Sequence, residues 1–71
     1  MNTVNSLRIS ASIRSYRRER SMNQTSFGEL VGVSAQAVSK WEREISCPDI
    51  TLLPEIARVL GVSIAYLLGA E

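Results

Sequence analysis

Residues 24–43 read QTSFGELVGVSAQAVSKWER, and this stretch decides the fold of the chain. Asn23, just before it, is a residue type whose side-chain oxygen can accept from the free amides of a first helical turn. Gly32 can end that helix because glycine adopts the left-handed backbone conformation without a steric cost. The stretch therefore predicts two helices, at about 24–31 and about 35–43, joined by a turn of three residues.

The apolar side chains of this stretch recur at helical spacing. Phe27, Leu30 and Val31 form an apolar face on the first helix, and Val38 and Trp41 form one on the second. Burying these faces against each other requires the two helices to meet at an angle, because so short a turn does not suit a long antiparallel hairpin. The pattern predicts an angular helix pair.

Glycine makes this pair more specific than an ordinary helical core. Gly28 allows the two backbones to approach closely, and Gly32 supplies the turn. Taken singly, each feature is common, since apolar residues at helical spacing usually form core and many helices end at glycine. Together these features predict an angled helix pair that fits DNA. The major groove of B-DNA, about 12 Å wide, admits one helix, and the angled partner helix can lie across the DNA backbone.

The rest of the chain adds three helices and no strand signal. Ile9, Ile13 and Tyr16 share one face of a predicted first helix, and a second apolar stripe starts near Pro54 and ends at Gly61. The sequence predicts an all-α fold, a compact five-helix bundle containing a helix-turn-helix, with helices at about 6–20, 24–31, 35–43, 51–60 and 63–68.

Length and composition limit the classes of function. A chain of 71 residues with 45% hydrophobic residues suffices for one globular domain, so we expect residues 1–71 to form a single domain, alone or as the N-terminal part of a longer regulator. The single cysteine, Cys47, and the absence of histidine leave no disulfide, no zinc site and no Ser/His or Cys/His pair. We therefore expect no enzyme activity, no cofactor and no small-molecule substrate.

Neither a signal peptide nor a membrane span is visible in the sequence, so we expect a cytoplasmic protein that does not bind membranes. The formal net charge is only +1, but residues 1–43 carry +4 and residues 44–71 carry −3. Positive charge in the first half suits a polyanion, because it releases counterions from a phosphate backbone. A merely solvated arginine surface is the alternative explanation of this charge.

Several stretches agree in order and spacing with one known family. They are Ile13-Arg14, Asn23-Gln24, Gly32-Val33-Ser34, Val38 through Arg43, Pro48, Ala57 through Ser63, and Tyr66-Leu67-Leu68. Over about residues 9–69 the chain resembles the Cro and phage-repressor type helix-turn-helix domains, also called the XRE family. The resemblance implies sequence-specific binding of double-stranded DNA by a transcriptional regulator, a repressor, whose third helix enters the major groove.

The resemblance also implies residue roles. Gln36 can pair with adenine, Lys40 with guanine, and Ala35 with a thymine methyl group, although which residue reads which base stays open. The expected base contacts are Ala35, Gln36, Ser39 and Lys40. The expected phosphate contacts are Asn23, Gln24, Ser34 and Arg43.

Two further positions of the family pattern concern structure. Arg17 and Glu42 match an ion pair between the first helix and the end of the third. Glu44 departs from the pattern, since relatives usually have glycine after the Trp-Glu-Arg stretch, and Ile45 replaces a basic residue. A carboxylate there opposes phosphate, so this loop is expected to add little to DNA affinity.

Two further questions stay open at the level of sequence. A protein-interaction or antitoxin-like module on the same fold is the alternative function, because fold alone does not determine function. Ile64, Leu67 and Leu68 either complete the monomer core or form a homodimer contact through the C-terminal helices. A dimer would place two recognition helices about 34 Å apart on a palindromic operator.

Overall fold

A computed structural model describes residues 8–70, and these residues confirm the all-helical fold. The helices are α1 (Ile9–Glu19), α2 (Gln24–Val31), α3 (Ala35–Glu42), α4 (Leu53–Leu60) and α5 (Ile64–Leu67), and a 3-10 turn at Ile50–Leu52 precedes α4. The described part is about as wide as it is deep, 32 × 24 × 23 Å. None of its helices is long and apolar enough to cross a membrane.

The predicted helix ends hold for both ends of α2, for the start of α3 and for the end of α4, and the other ends shift by one to three residues. Arg43 and Leu68 are C-caps rather than the last helical residues, and Ser63 is an N-cap whose side chain accepts from the Tyr66 amide. Thr51 lies in the 3-10 turn that precedes α4. Helix α1 begins at Ile9, and the first two residues of its predicted range lie outside the described residues.

One hydrophobic core joins all five helices. Burying apolar side chains is the main driving force of folding, so the residues of this core account for most of the stability of the bundle. The buried apolar residues are Ile9, Ile13, Phe27, Val31, Val38, Trp41, Leu53, Ile56, Ala57 and Leu67. Tyr16, half-buried, packs edge-on against Phe27 with ring centroids 5.8 Å apart.

One prediction about an apolar residue is wrong, and a question that the sequence left open is settled for Leu67. Leu30 is 44% exposed, although we expected it on the apolar face of α2. It lies about 60° from Phe27 around the helix, on the side away from Val31, and the core covers only the side of Val31. In α5, Leu67 is fully buried whereas Ile64 and Leu68 are 38% and 43% exposed, so Leu67 belongs to the monomer core and cannot form a dimer contact.

The turn between α2 and α3 has the predicted geometry. Gly32 is in the left-handed conformation, with φ 80° and ψ 32°. The amides of Gly32 and Val33 both donate to the carbonyl of Gly28, the second across 2.8 Å. A Cβ placed on Gly28 would lie 2.4 Å from the carbonyl oxygen of Val33, so the turn folds directly onto this glycine. Gly28 is therefore required by close backbone approach, and Gly32 by its positive φ.

Candidate nucleic-acid interface

Side-chain caps fix the starts of the two helices of the helix-turn-helix. The Oδ1 atom of Asn23 accepts from the Ser26 amide at 2.8 Å, and the Oγ atom of Ser34 accepts from the Ala37 amide at 3.2 Å. Both capping side chains are exposed. Each cap satisfies one of the amides that a helix start leaves without an intrahelical partner.

The four expected base-contacting residues lie along one strip of α3. Gln36 and Lys40 are exposed, and Ala35 and Ser39 are half-buried beside them. Residues four apart lie one above the other on a helix, so each pair follows the helix axis. The opposite face of α3 holds the buried Val38. The strip therefore combines an amide, an ammonium, a hydroxyl and a methyl group on the outside of the fold.

The expected phosphate-contacting residues lie around the ends of this strip. Asn23 and Gln24 stand at the start of α2, Ser34 stands at the start of α3, and Arg43 caps its end. Helix starts carry a partial positive charge and free amides, which favour anions. Gln24 is half-buried, and its Nε2 atom donates to Oε1 of Glu42 at 3.1 Å. One of its two amide protons is therefore used inside the protein.

A buried carboxylate connects this surface to α1. Glu42 is 5% exposed, and Arg17 binds it with two parallel hydrogen bonds, Nε to Oε2 at 2.6 Å and Nη2 to Oε1 at 2.7 Å. The Nη1 atom of Arg17 also donates to the backbone oxygen of Met22 at 2.9 Å. Such a forked arginine–carboxylate pair fixes orientation as well as distance. It holds the end of α3 against α1.

Burial alone would raise the pKa of Glu42, because it disfavours the charged form. The hydrogen bonds from Arg17 and Gln24, together with the charges of Arg17 and Arg14, outweigh burial and leave the pKa of Glu42 below its ordinary value. The hydrogen bond to Glu42 in turn raises the pKa of Arg17. Both groups are therefore charged at neutral pH.

Arg14 has a role that the sequence analysis did not assign. Its Nη1 atom donates to the backbone oxygen of Glu42 at 2.7 Å, so it satisfies a carbonyl at the end of α3. A signal was available in the sequence, since Arg14 and Arg17 are three residues apart and share a face of α1. The structure therefore gives Arg14 a bracing position beside Arg17.

Glu44 follows α3 with an unusual backbone conformation. Its φ of 63° lies in the left-handed region, where the family pattern has glycine. Its carboxylate turns back to α1, where the hydroxyl of the buried Ser10 donates to Oε2 at 3.4 Å. Residues 8–70 bring no three His, Cys, Asp or Glu side chains together as a metal site.

Comparison with known proteins identifies the family. A family model described as helix-turn-helix matches residues 13–67. Repressor protein C2 of Salmonella phage P22 is 36% identical over 59 residues, which cover 83% of this chain and 27% of that repressor. The chain therefore spans about a quarter of the length of this relative.

Two solved structures are similar in fold and in sequence. The P22 c2 repressor in complex with a synthetic operator has a TM-score of 0.78 at 33% identity, with 89% of this chain and 96% of that chain covered. The solution structure of the P22 C2 repressor DNA-binding domain has a TM-score of 0.75 at 36% identity, with 97% and 87% covered. The chain belongs to the helix-turn-helix family, in its Cro and phage-repressor branch.

Proposed function

We propose that this chain is a DNA-binding domain of a cytoplasmic transcriptional repressor, which binds double-stranded DNA with α3 in the major groove. The observation that carries the proposal is the exposed strip of α3, with Gln36 and Lys40 side by side on a helix that α2 braces. The similar P22 c2 repressor structure, described as a complex with a synthetic operator, supports the same use of this fold.

The strip offers complementary groups to base edges. Gln36 can pair with adenine N6 and N7, Lys40 can donate to guanine O6 and N7, and the Ala35 methyl group can contact a thymine methyl. Ser39 adds a hydroxyl between them. We propose these four residues as the base contacts.

The phosphate contacts proposed around the strip set register without reading sequence. The donors would be the side-chain amides of Asn23 and Gln24, the hydroxyl of Ser34 and the guanidinium of Arg43. They would bind two neighbouring stretches of the DNA phosphate backbone. Gln24 would use the amide proton that Glu42 does not occupy. Glu44 marks the limit of this surface, because its carboxylate would repel phosphate.

Titration of the protein with a pool of random DNA duplexes at several salt concentrations tests the proposed function. We expect enrichment of a defined sequence and affinity that falls steeply as salt rises, because binding releases counterions. Failure to bind any duplex in a salt-dependent way would contradict the proposal. It would leave the protein-interaction or antitoxin-like module as the function of this fold.

Truncation of the two exposed polar side chains of α3 should weaken specificity without unfolding the protein. Gln36→Ala and Lys40→Ala are each expected to cost about 1 to 3 kcal/mol of discrimination against wrong bases. Both side chains are exposed, so thermal unfolding should change little. Binding to duplexes substituted at single base pairs is the measurement, and unchanged preference in both variants would contradict the assigned reading surface.

We propose that two copies bind a palindromic operator as a homodimer through α5. Ile64 and Leu68, which the monomer leaves partly exposed, support this proposal, and Ile50 is 76% exposed before α4.

Leu68→Asp should abolish dimerisation while keeping the fold, because it places a charge in an apolar contact. Sedimentation over a range of concentrations measures this, with Leu30→Asp as the control at a similarly exposed leucine. A monomer at all concentrations in the unmodified protein would contradict the dimer.

A further inference from the structure

Ser39 and Arg43 are joined by a hydrogen bond on the outer edge of α3. The Nε atom of Arg43 donates to Oγ of Ser39 at 3.2 Å and, over a longer distance of 3.4 Å, to the Ser39 carbonyl. The two residues are four apart, so their side chains meet on one side of the helix. A serine hydroxyl has one proton to donate and lone pairs to accept. The hydrogen bond from Arg43 therefore uses a lone pair of the Ser39 hydroxyl.

The charge of Arg43 also orients the hydroxyl proton. A guanidinium is always positively charged, so a neighbouring hydroxyl turns its oxygen toward it and its proton away. The hydroxyl of a serine within a helix often donates this proton to the backbone carbonyl four residues earlier. Across residues 8–70 the Ser39 hydroxyl donates to no acceptor. Ser39 therefore presents a donor at the surface.

We infer that Arg43 makes Ser39 a donor-only reader, so that the base contacted by Ser39 must present an acceptor and cytosine is rejected there. This inference rests on the proposed function. In the major groove guanine offers N7 and O6, adenine N7 and thymine O4, whereas cytosine offers only the N4 amino donor. The neighbouring Lys40 is also a donor without accepting capacity. Arg43 is thus a positioning residue for specificity in addition to a phosphate contact.

The test uses the best duplex from the random pool, with each base pair replaced in turn. The base pair at which Ser39→Ala removes discrimination is the one that Ser39 reads. There the unmodified protein should bind the cytosine-bearing duplex about fivefold more weakly, the effect of one hydrogen bond. Arg43→Met removes both the Nε donor and the positive charge, so binding to every duplex should weaken, but the cytosine penalty, a ratio between two duplexes, should nearly vanish because the Ser39 hydroxyl can then also accept.

Arg18→Met, at an exposed arginine of α1, is the matched control and should keep the penalty. Three results would each overturn this inference while DNA binding itself stands: a cytosine penalty that persists in Arg43→Met, equal binding of the cytosine-bearing duplex by the unmodified protein, or no base pair that responds to Ser39→Ala. Absence of salt-dependent binding to any duplex would instead overturn the proposed function, and this inference with it.

Discussion

Replacing Gly28 with alanine is expected to destabilise the domain by about 2 kcal/mol. The added Cβ would lie 2.4 Å from the Val33 carbonyl oxygen, and a backbone atom cannot move aside as a flexible side chain can. Overpacking of this kind costs up to about 3 kcal/mol, from which the better helix propensity of alanine recovers about 1 kcal/mol. A domain of this size has only about 4 to 10 kcal/mol of stability.

Gly32→Ala is the matched control for Gly28→Ala. A Cβ on Gly32 meets nothing within 4 Å, so the substitution costs only the strain of the positive φ, about 1 kcal/mol. Urea unfolding followed by circular dichroism measures both variants against the unmodified protein. If Gly32→Ala proved the more destabilising of the two, close packing of the turn onto α2 would not be what holds the helix pair together.

Arg17→Met is expected to cost about 3 to 5 kcal/mol at neutral pH, because it leaves the Glu42 carboxylate buried without its cation. It also removes the donor to the Met22 carbonyl. Arg18→Met, at an exposed neighbour, is the control and should change the free energy of unfolding by less than about 0.5 kcal/mol. Denaturant unfolding at pH 7 is the measurement.

Arg17→Met should also reverse the pH dependence of stability that Glu42 causes. In the unmodified protein the pKa of Glu42 lies below its ordinary value of 4.5, so the unfolded chain binds more protons, and this stabilisation is present above pH 4.5 and lost as pH falls below it. Without Arg17, we expect burial to outweigh the remaining hydrogen bond from Gln24 and the charge of Arg14, so that the pKa of Glu42 rises, the folded protein binds more protons, and stability falls as pH rises. The penalty should therefore be large at pH 7 and small near pH 3; an equal penalty at both would contradict this role.

Local signals made much of the fold predictable from sequence. Asn23 and Ser34 cap helices through their own side chains, and Gly32 terminates one through its own backbone, so each acts within four residues of its position. The spacing of Gly28 from the turn indicated close approach before the Val33 contact was visible. These features depend on neighbours in the sequence, which is why the boundaries of α2 were predicted without error.

Features that depend on distant parts of the chain were not predictable in the same way. Whether Leu67 or Leu68 enters the core depends on how α5 lies against the bundle, and periodicity over four residues cannot decide it. Gln24 meets Glu42 across 18 positions of sequence, and Ser10 meets Glu44 across 34. The Arg17–Glu42 pair was expected only through the family resemblance, since composition and spacing give no reason to pair these two charges.

The most direct measurement of the central claim is an amide chemical-shift titration of the isotope-labelled protein with the best selected duplex. We expect the largest changes in α3 and its C-cap, from Ala35 to Arg43, with a second group at Asn23 and Gln24, where α2 begins. Changes concentrated on α4, or spread evenly over the chain with α3 unaffected, would contradict the claim that α3 reads the DNA.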